Sequence, residues 1–284
     1  MSNMFIKRII TISIFALLLF LGCSKNKNEL KNDKIDVTVS IVTYADFVKN
    51  IGGDKVAVNT MIPQNAEPHD YEPTPEQITK LSKSDLYFKI GSGFGFEDAL
   101  LDRIKSTSNK LKVINTADGI KIVNNDPHVW LGLKEVRIIL KNITKGLINY
   151  SKKDSVYFSE NLNKYLNLLL AEEMKIKESF ATKKNSHVLV YHPAWNYFFS
   201  QFGITQLGIE KHGKEPNAQD LKEVINVAKK NNVRVVFIEP QFNQESAMAI
   251  AKQLNGTIDV INNIPADYLK NLDVVRRKVS KSLQ

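Results

Sequence analysis

Apolar and polar positions along this chain fall into two alternating patterns, and the alternation runs through the sequence twice. Short blocks rich in branched and aromatic residues, Val37–Val42, Val56–Ile62, Leu86–Ile90 and Leu111–Asn115, read as strands. Tyr44–Ile51, closed by Gly52–Gly53, and Phe96–Lys105 carry helical spacing. Thr74-Pro-Glu-Gln77 is a capping box with proline at the first helical position, so a further helix starts there. Beyond residue 184 the rhythm restarts. Strands are expected at Val188–Tyr191, Ile204–Ile209, Val233–Ile238 and Thr257–Ile261. Helices are expected at Asn196–Phe202, from a cap at Asn217 through Lys230, at Gln244–Leu254, and from Ala266 onward. Strands alternating with helices predict a mostly parallel sheet with helices on both faces.

Asp154–Thr182 breaks the rhythm. It contains neither Pro nor Gly, and Phe158, Leu162, Tyr165, Leu169, Ile176 and Phe180 form one apolar stripe at helical spacing. Such a helix is about 40 Å long at its usual rise per residue. That suits a strut between two bodies better than an element of one. The expected architecture is therefore α/β, with two lobes that each hold a mostly parallel sheet flanked by helices, joined by one long backbone helix. The N-terminal lobe is expected over 35–153, the linking helix over 154–183 and the C-terminal lobe over 184–284. No internal repeat stands out.

The first residues have a different character. Lys7 and Arg8 precede an apolar run from Ile9 to Leu21, followed by Gly22–Cys23. A basic segment followed by a short apolar one is an export signal, and the run is short for a membrane span. The small residue and cysteine after it resemble the lipobox of bacterial lipoproteins, although Phe20 stands where leucine is usual. This implies a signal peptide over 1–22, lipidation of Cys23, and a flexible polar tether over 23–34. The expected location is outside the cytoplasm, lipid-anchored to the cell membrane and facing the periplasm or the extracellular side.

Composition narrows the chemistry. The 284 residues are 43% hydrophobic and 24% charged, an ordinary globular balance long enough for two cores. A single cysteine excludes an intrachain disulfide, a CxxC redox pair and a zinc ribbon. The formal charge is +9, and the signal segment accounts for two of the surplus cations. The remaining lysines are scattered and no recognition motif accompanies them, so nucleic acid is not an expected partner. Gly91-Ser-Gly93-Phe-Gly95 follows a strand and precedes a helix, but its spacing is not that of a dinucleotide loop, and it reads as a turn.

Five histidines are present. His187 reads as a strand-edge residue and His212 as part of a surface turn. The other three lie in loops beside prolines: His69 after Pro68, His128 after Pro127, and His192 before Pro193. Proline stiffens a loop and holds a ligand nitrogen with less ordering cost. His192 follows a strand directly, and ligands of open α/β sheets bind beyond the carboxyl ends of strands. A site made of all three would lie between the lobes. Trp130, Trp195, Tyr197 and Phe198 follow these positions and read as core or cleft wall. Spacings of about sixty residues carry no local metal signature, so arithmetic alone leaves each histidine open.

The segments EPHDYEPTPEQITKL, DPHVWL, YHPAWNYFFSQFG, KEPNAQDL and FIEPQFN, in that order, resemble the metal-binding lipoproteins of bacterial zinc/manganese ABC importers, the solute-binding cluster with a rigid inter-lobe helix. The resemblance runs from about Val37 to the C-terminus. It implies metal ligands at His69, His128 and His192. Many members have an aspartate as fourth ligand, and here Asn262 stands in its place. Water, Asn262 or a nearby carboxylate such as Glu239 would complete the shell. Three imidazoles without a carboxylate favour Zn²⁺ over Mn²⁺, which prefers oxygen donors. The implied function is a non-enzymatic, monomeric receptor that captures zinc and delivers it to an ABC permease and its ATPase. The alternatives are a manganese receptor of the same family, an exported zinc hydrolase with an open fourth position, and an adhesin-type surface lipoprotein.

Overall fold

The computed structural model describes residues 34–64, 66–69, 71–104, 110–210 and 216–283. The export segment, Cys23 and His212 lie outside the described residues. Strands β1 (Ile35–Val39), β2 (Val56–Thr60), β3 (Leu86–Lys89) and β4 (Lys112–Asn115) form one sheet in the order β2-β1-β3-β4. Strands β5 (His187–Val190), β6 (Thr205–Gly208), β7 (Val235–Ile238) and β8 (Thr257–Val260) form a second in the order β6-β5-β7-β8. Every pairing is parallel. The two sheets thus share one topology, a repeat in space that the sequence does not display. The expected α/β architecture of two parallel-sheet lobes and a long helix is the one observed.

Helices α1 (Val42–Gly52), α2 (Pro75–Lys83), α3 (Gly95–Ile104), α4 (Leu133–Tyr150) and α5 (Ser155–Ser179) belong to the first half. Helices α6 (Asn196–Ser200), α7 (Ala218–Lys230), α8 (Gln244–Gln253) and α9 (Tyr268–Ser282) follow. The capping box at the start of α2 forms as predicted, with the Thr74 side chain accepting from the Gln77 backbone and the Gln77 side chain accepting from the Thr74 backbone. Gln77 also accepts from the Tyr71 hydroxyl at 2.9 Å and donates to the Met61 carbonyl at 2.6 Å, which fastens both ends of the loop carrying His69. Losing such a cap costs about 1 kcal/mol. Thr74→Ala is accordingly expected to lower the unfolding free energy by that amount, read as a lower urea midpoint with an unchanged slope.

Helix α4 is an element that the hydrophobic pattern did not bring out. Its sequence is rich in Ile, Val and Thr and contains Gly146, features that weaken a helical reading. Packing decides the matter. Val136, Ile139, Leu140, Ile143 and Leu147 are all buried. Gly146 is required because a Cβ there would come within 2.6 Å of the Phe88 ring.

Helix α5 has 25 residues, so it is about 37 Å long. Its stripe of Phe158, Tyr165, Leu169 and Ile176 is buried, and it packs against α1, α4 and α9. Asp46 on α1 accepts from the Tyr165 hydroxyl and from the Tyr268 backbone, each at 3.2 Å, so one carboxylate ties three helices. Glu173 of α5 pairs with Arg137 of α4 and with Lys177. One continuous core runs from the first sheet through α4 and α5 to the inner face of the second sheet at Val188, Val190 and Phe237. The opposite face, with Leu189, Val236 and Ile238, packs under α7 and α8. A shared core of this kind resists wide hinge motion. Among the described residues no helix is long and apolar enough to cross a membrane.

Candidate metal centre

Three loops at the carboxyl ends of the strands bring His69, His128 and His192 together. His192 stands two residues beyond β5, His69 lies between β2 and α2, and His128 between β4 and α4. The Nε2 atom of His128 is 3.3 Å from that of His69 and 3.1 Å from that of His192. One ligand atom from each residue lies within 4.8 Å of the others, and among the described residues no carboxylate joins this group. His128 and His192 are buried, while His69 is on the exposed side.

Proton accounting gives the arrangement its meaning. His128 Nδ1 is 2.7 Å from Asp126 Oδ1, and His192 Nδ1 is 2.8 Å from Glu210 Oε2. A carboxylate only accepts, so each imidazole donates from Nδ1, and in its neutral form each carries a lone pair on Nε2. Two such lone pairs then face each other at 3.1 Å. Two neutral rings this close repel, so the contact calls for a cation between the nitrogens, either a metal ion or a proton on His192. Carboxylates behind ligating histidines fix the tautomer in this way and raise ligand basicity.

The protonation tendencies differ around the group. Partial desolvation, with His128 and His192 adding like charge, lowers His69. Burial also lowers His128, outweighing the support of Asp126. Burial acts downward on His192 too, but the Glu210 hydrogen bond and the charges of Glu239, Glu210 and Glu67 together raise it. Glu239 is fully buried and pushed up to about 7 by that burial.

Of the two protein candidates for a fourth ligand, Glu239 lies outside the group. Glu239 sits behind His192, accepting from the Trp195 indole at 3.1 Å and from the His192 backbone at 3.4 Å. Asn262 turns its Oδ1 to the Ile264 amide at 2.8 Å. His187 opens β5 and is not part of the cluster.

Four contributors escaped the sequence reading. Asp126 and Glu210 are the acids just described. Phe94 stacks on His69 with centroids 4.9 Å apart, and Phe242 stacks on His192 at 5.4 Å. Strand register holds the signal for Glu210. Val190 pairs with Gly208, so the positions two residues beyond each strand, His192 and Glu210, arrive side by side. Tyr197 crosses from the second lobe, accepting from the Val123 amide at 2.9 Å and donating to the Asp126 carbonyl at 3.1 Å.

Residues 37–280 match the family model described as ZnuA, zinc-uptake complex component A periplasmic. The chain is 26% identical over 265 residues to the metal ABC transporter substrate-binding lipoprotein FimA of Streptococcus parasanguinis, covering 86% of this chain and 85% of that protein. It is 27% identical over 268 residues to the manganese ABC transporter substrate-binding lipoprotein PsaA of Streptococcus pneumoniae, covering 86% and 85%. Its fold superposes on a crystal structure of ZnuA with a TM-score of 0.83 and 32% identity, over 89% of this chain and all of the other.

Proposed function

The chain belongs to the family of the periplasmic zinc-uptake component ZnuA, substrate-binding proteins of metal ABC importers, and from that premise we propose that it captures Zn²⁺ between its lobes and presents it to a permease. The observation that carries this reading is the convergence of three Nε2 atoms, with spacings of 3.3 and 3.1 Å around His128, two of them backed by a carboxylate on the far nitrogen. Two nitrogens held about 2.0–2.1 Å from one tetrahedral ion stand about 3.3–3.4 Å apart. The spacings of 3.3 and 3.1 Å around His128 fit that geometry. His69, His128 and His192 supply three neutral imidazoles, and water takes the fourth position on the exposed side of His69. An all-imidazole protein shell suits zinc, whereas manganese favours carboxylate and water oxygens.

A hydrolytic zinc site would need a base beside the bound water. Glu210 is engaged by the His192 ring, and the two oxygens of the other buried candidate, Glu239, already accept from Trp195 and from the His192 backbone. The same two bonds make Glu239 a support for the His192 loop. The membrane attachment is a lipid on Cys23. Release follows when docking on the permease shifts one lobe and withdraws His192 from the other two imidazoles.

Calorimetry with the form that begins after Cys23 tests the assignment. One zinc ion per chain is expected, with manganese bound far more weakly. Equal or tighter manganese binding would reverse the choice of cargo. The pH dependence follows from the signs above. Zinc competes with protons for imidazole nitrogen. His69 and His128 favour the neutral form, and His192 is the one whose proton affinity is raised. Zinc affinity should be highest above the titration of His192. It should then fall about tenfold for each pH unit below it, with a one-proton slope. A slope near three would contradict the inequality of the three histidines.

A further inference from the structure

The turn Gly91-Ser-Gly93-Phe-Gly95 is not part of the three-histidine group, yet it touches both loops that carry the first-lobe histidines. Its origin is fixed by Glu97, which is 1% exposed. The Glu97 carboxylate accepts from the Ile90 amide at 2.7 Å, from the Gly91 amide at 2.9 Å and from the Ser40 hydroxyl. The amides at the start of this turn that would face a phosphate in a nucleotide loop are therefore already bonded. Gly91 has φ +78°, and a Cβ there would fall 1.7 Å from the Asn115 side chain, so the chain runs flush against the end of β4. Gly93, at φ +92°, turns it again.

These two glycines leave Ser92 and Phe94 buried, at 5% and 3% exposure. Ser92 Oγ donates to the Pro127 carbonyl at 2.5 Å, next to His128. The Phe94 ring lies nearly parallel to His69, at 21°, and meets His128 edge-on at 6.4 Å and 88°. One short turn thus grips two histidine loops that are 59 residues apart in sequence.

We infer that this turn is a positioning element of the metal centre: Ser92 sets the His128 loop, Phe94 sets the His69 ring, and Glu97 anchors both, so that the first-lobe half of the site is in place before the ion arrives. The inference rests on the metal-binding reading. The ligand group is the three histidines, and these three residues act behind it. Outer partners that orient ligands typically account for about 10–100-fold in metal affinity.

The test uses the full chain in detergent, with zinc as the titrant and imidazole NMR of the metal-free protein as a second readout. Ser92→Ala and Phe94→Leu are each expected to weaken zinc by about 10–100-fold. Phe94→Tyr, which keeps the stacking ring, should stay near the parent value. In the metal-free variants Ser92→Ala and Phe94→Leu, the ring signals of His128 and His69 respectively should move while those of His192 do not. A purely structural role would lower thermal stability without this local pattern. Should Phe94→Leu fail to fold, Ser92→Ala and Phe94→Tyr still decide the question. Parent-like zinc affinity with unmoved histidine signals in Ser92→Ala would overturn the inference. His128→Ala run in parallel separates the two levels. If it binds zinc like the parent, the metal reading fails and the inference with it. If it loses zinc while Ser92→Ala and Phe94→Leu do not, only the positioning role fails.

Discussion

Alanine at His128 weakens zinc binding by more than about 100-fold, beyond the range typical of outer partners. His128 is the middle member of the group, with its Nε2 at 3.3 and 3.1 Å from the other two. Its removal leaves His69 and His192 as the remaining pair, related by ring centroids 5.3 Å apart. Two imidazoles with water in the other positions form a much weaker zinc site. The metal-free protein should respond quite differently. Removing His128 ends the close Nε2 contact but leaves a cavity beside Trp130 and Phe94 and takes the imidazole from Asp126, so the melting temperature without zinc should fall modestly. Ligand binding stabilises the native state by about 4 kcal/mol when its concentration is 1,000 times Kd. The zinc-induced rise in melting temperature should therefore be large in the parent and nearly absent in His128→Ala. Thermal scans with and without zinc read both effects. A variant that keeps the zinc-induced rise would remove His128 from the ligand set.

Trp130→Ala should carry the largest loss of folding stability. The indole is fully buried, lies 5.7 Å from the Phe94 ring and 5.2 Å from the His128 ring, and donates from Nε1 to the Asn263 carbonyl at 2.7 Å. It is thus a packed wall of the site and a direct bond from the first lobe to the second. Truncating a buried aromatic to alanine typically costs about 3–5 kcal/mol, and more where the cavity cannot collapse. Trp130→Phe separates the two contributions. It restores most of the volume but leaves the Asn263 carbonyl without its donor, a loss of about 1–3 kcal/mol for a buried group. Urea denaturation followed by circular dichroism should rank the parent above Trp130→Phe and Trp130→Ala last. A loss below about 1 kcal/mol in Trp130→Ala, an ordinary surface-like effect, would contradict this role.

Much of this molecule could be read before its coordinates. Local signals were strong where the chain itself dictates the outcome: the branched runs of the strands, the capping box at Thr74, and the unbroken stripe of α5. Helix α4 was obscured because its branched residues and Gly146 are favoured by contacts with the first sheet, Phe88 among them, and not by local propensity. The three histidines stood out through their proline neighbours and through family resemblance, but their convergence depends on where three loops end in space. Asp126, two positions before His128, was within reach of local reasoning. Glu210 required the β5–β6 register, and Phe94 and Phe242 required the conformation of loops beyond β3 and β7. The equal strand order of the two sheets left no trace in the residue pattern, because parallel strands buried on both faces need only be apolar.

The most direct measurement is a crystal structure of the zinc-loaded protein with anomalous diffraction recorded on both sides of the zinc absorption edge. One strong anomalous peak per chain is expected, bound by the Nε2 atoms of His69, His128 and His192 and by one water. A zinc ion held elsewhere, or one that leaves any of these three nitrogens unbound, would contradict the three-histidine site.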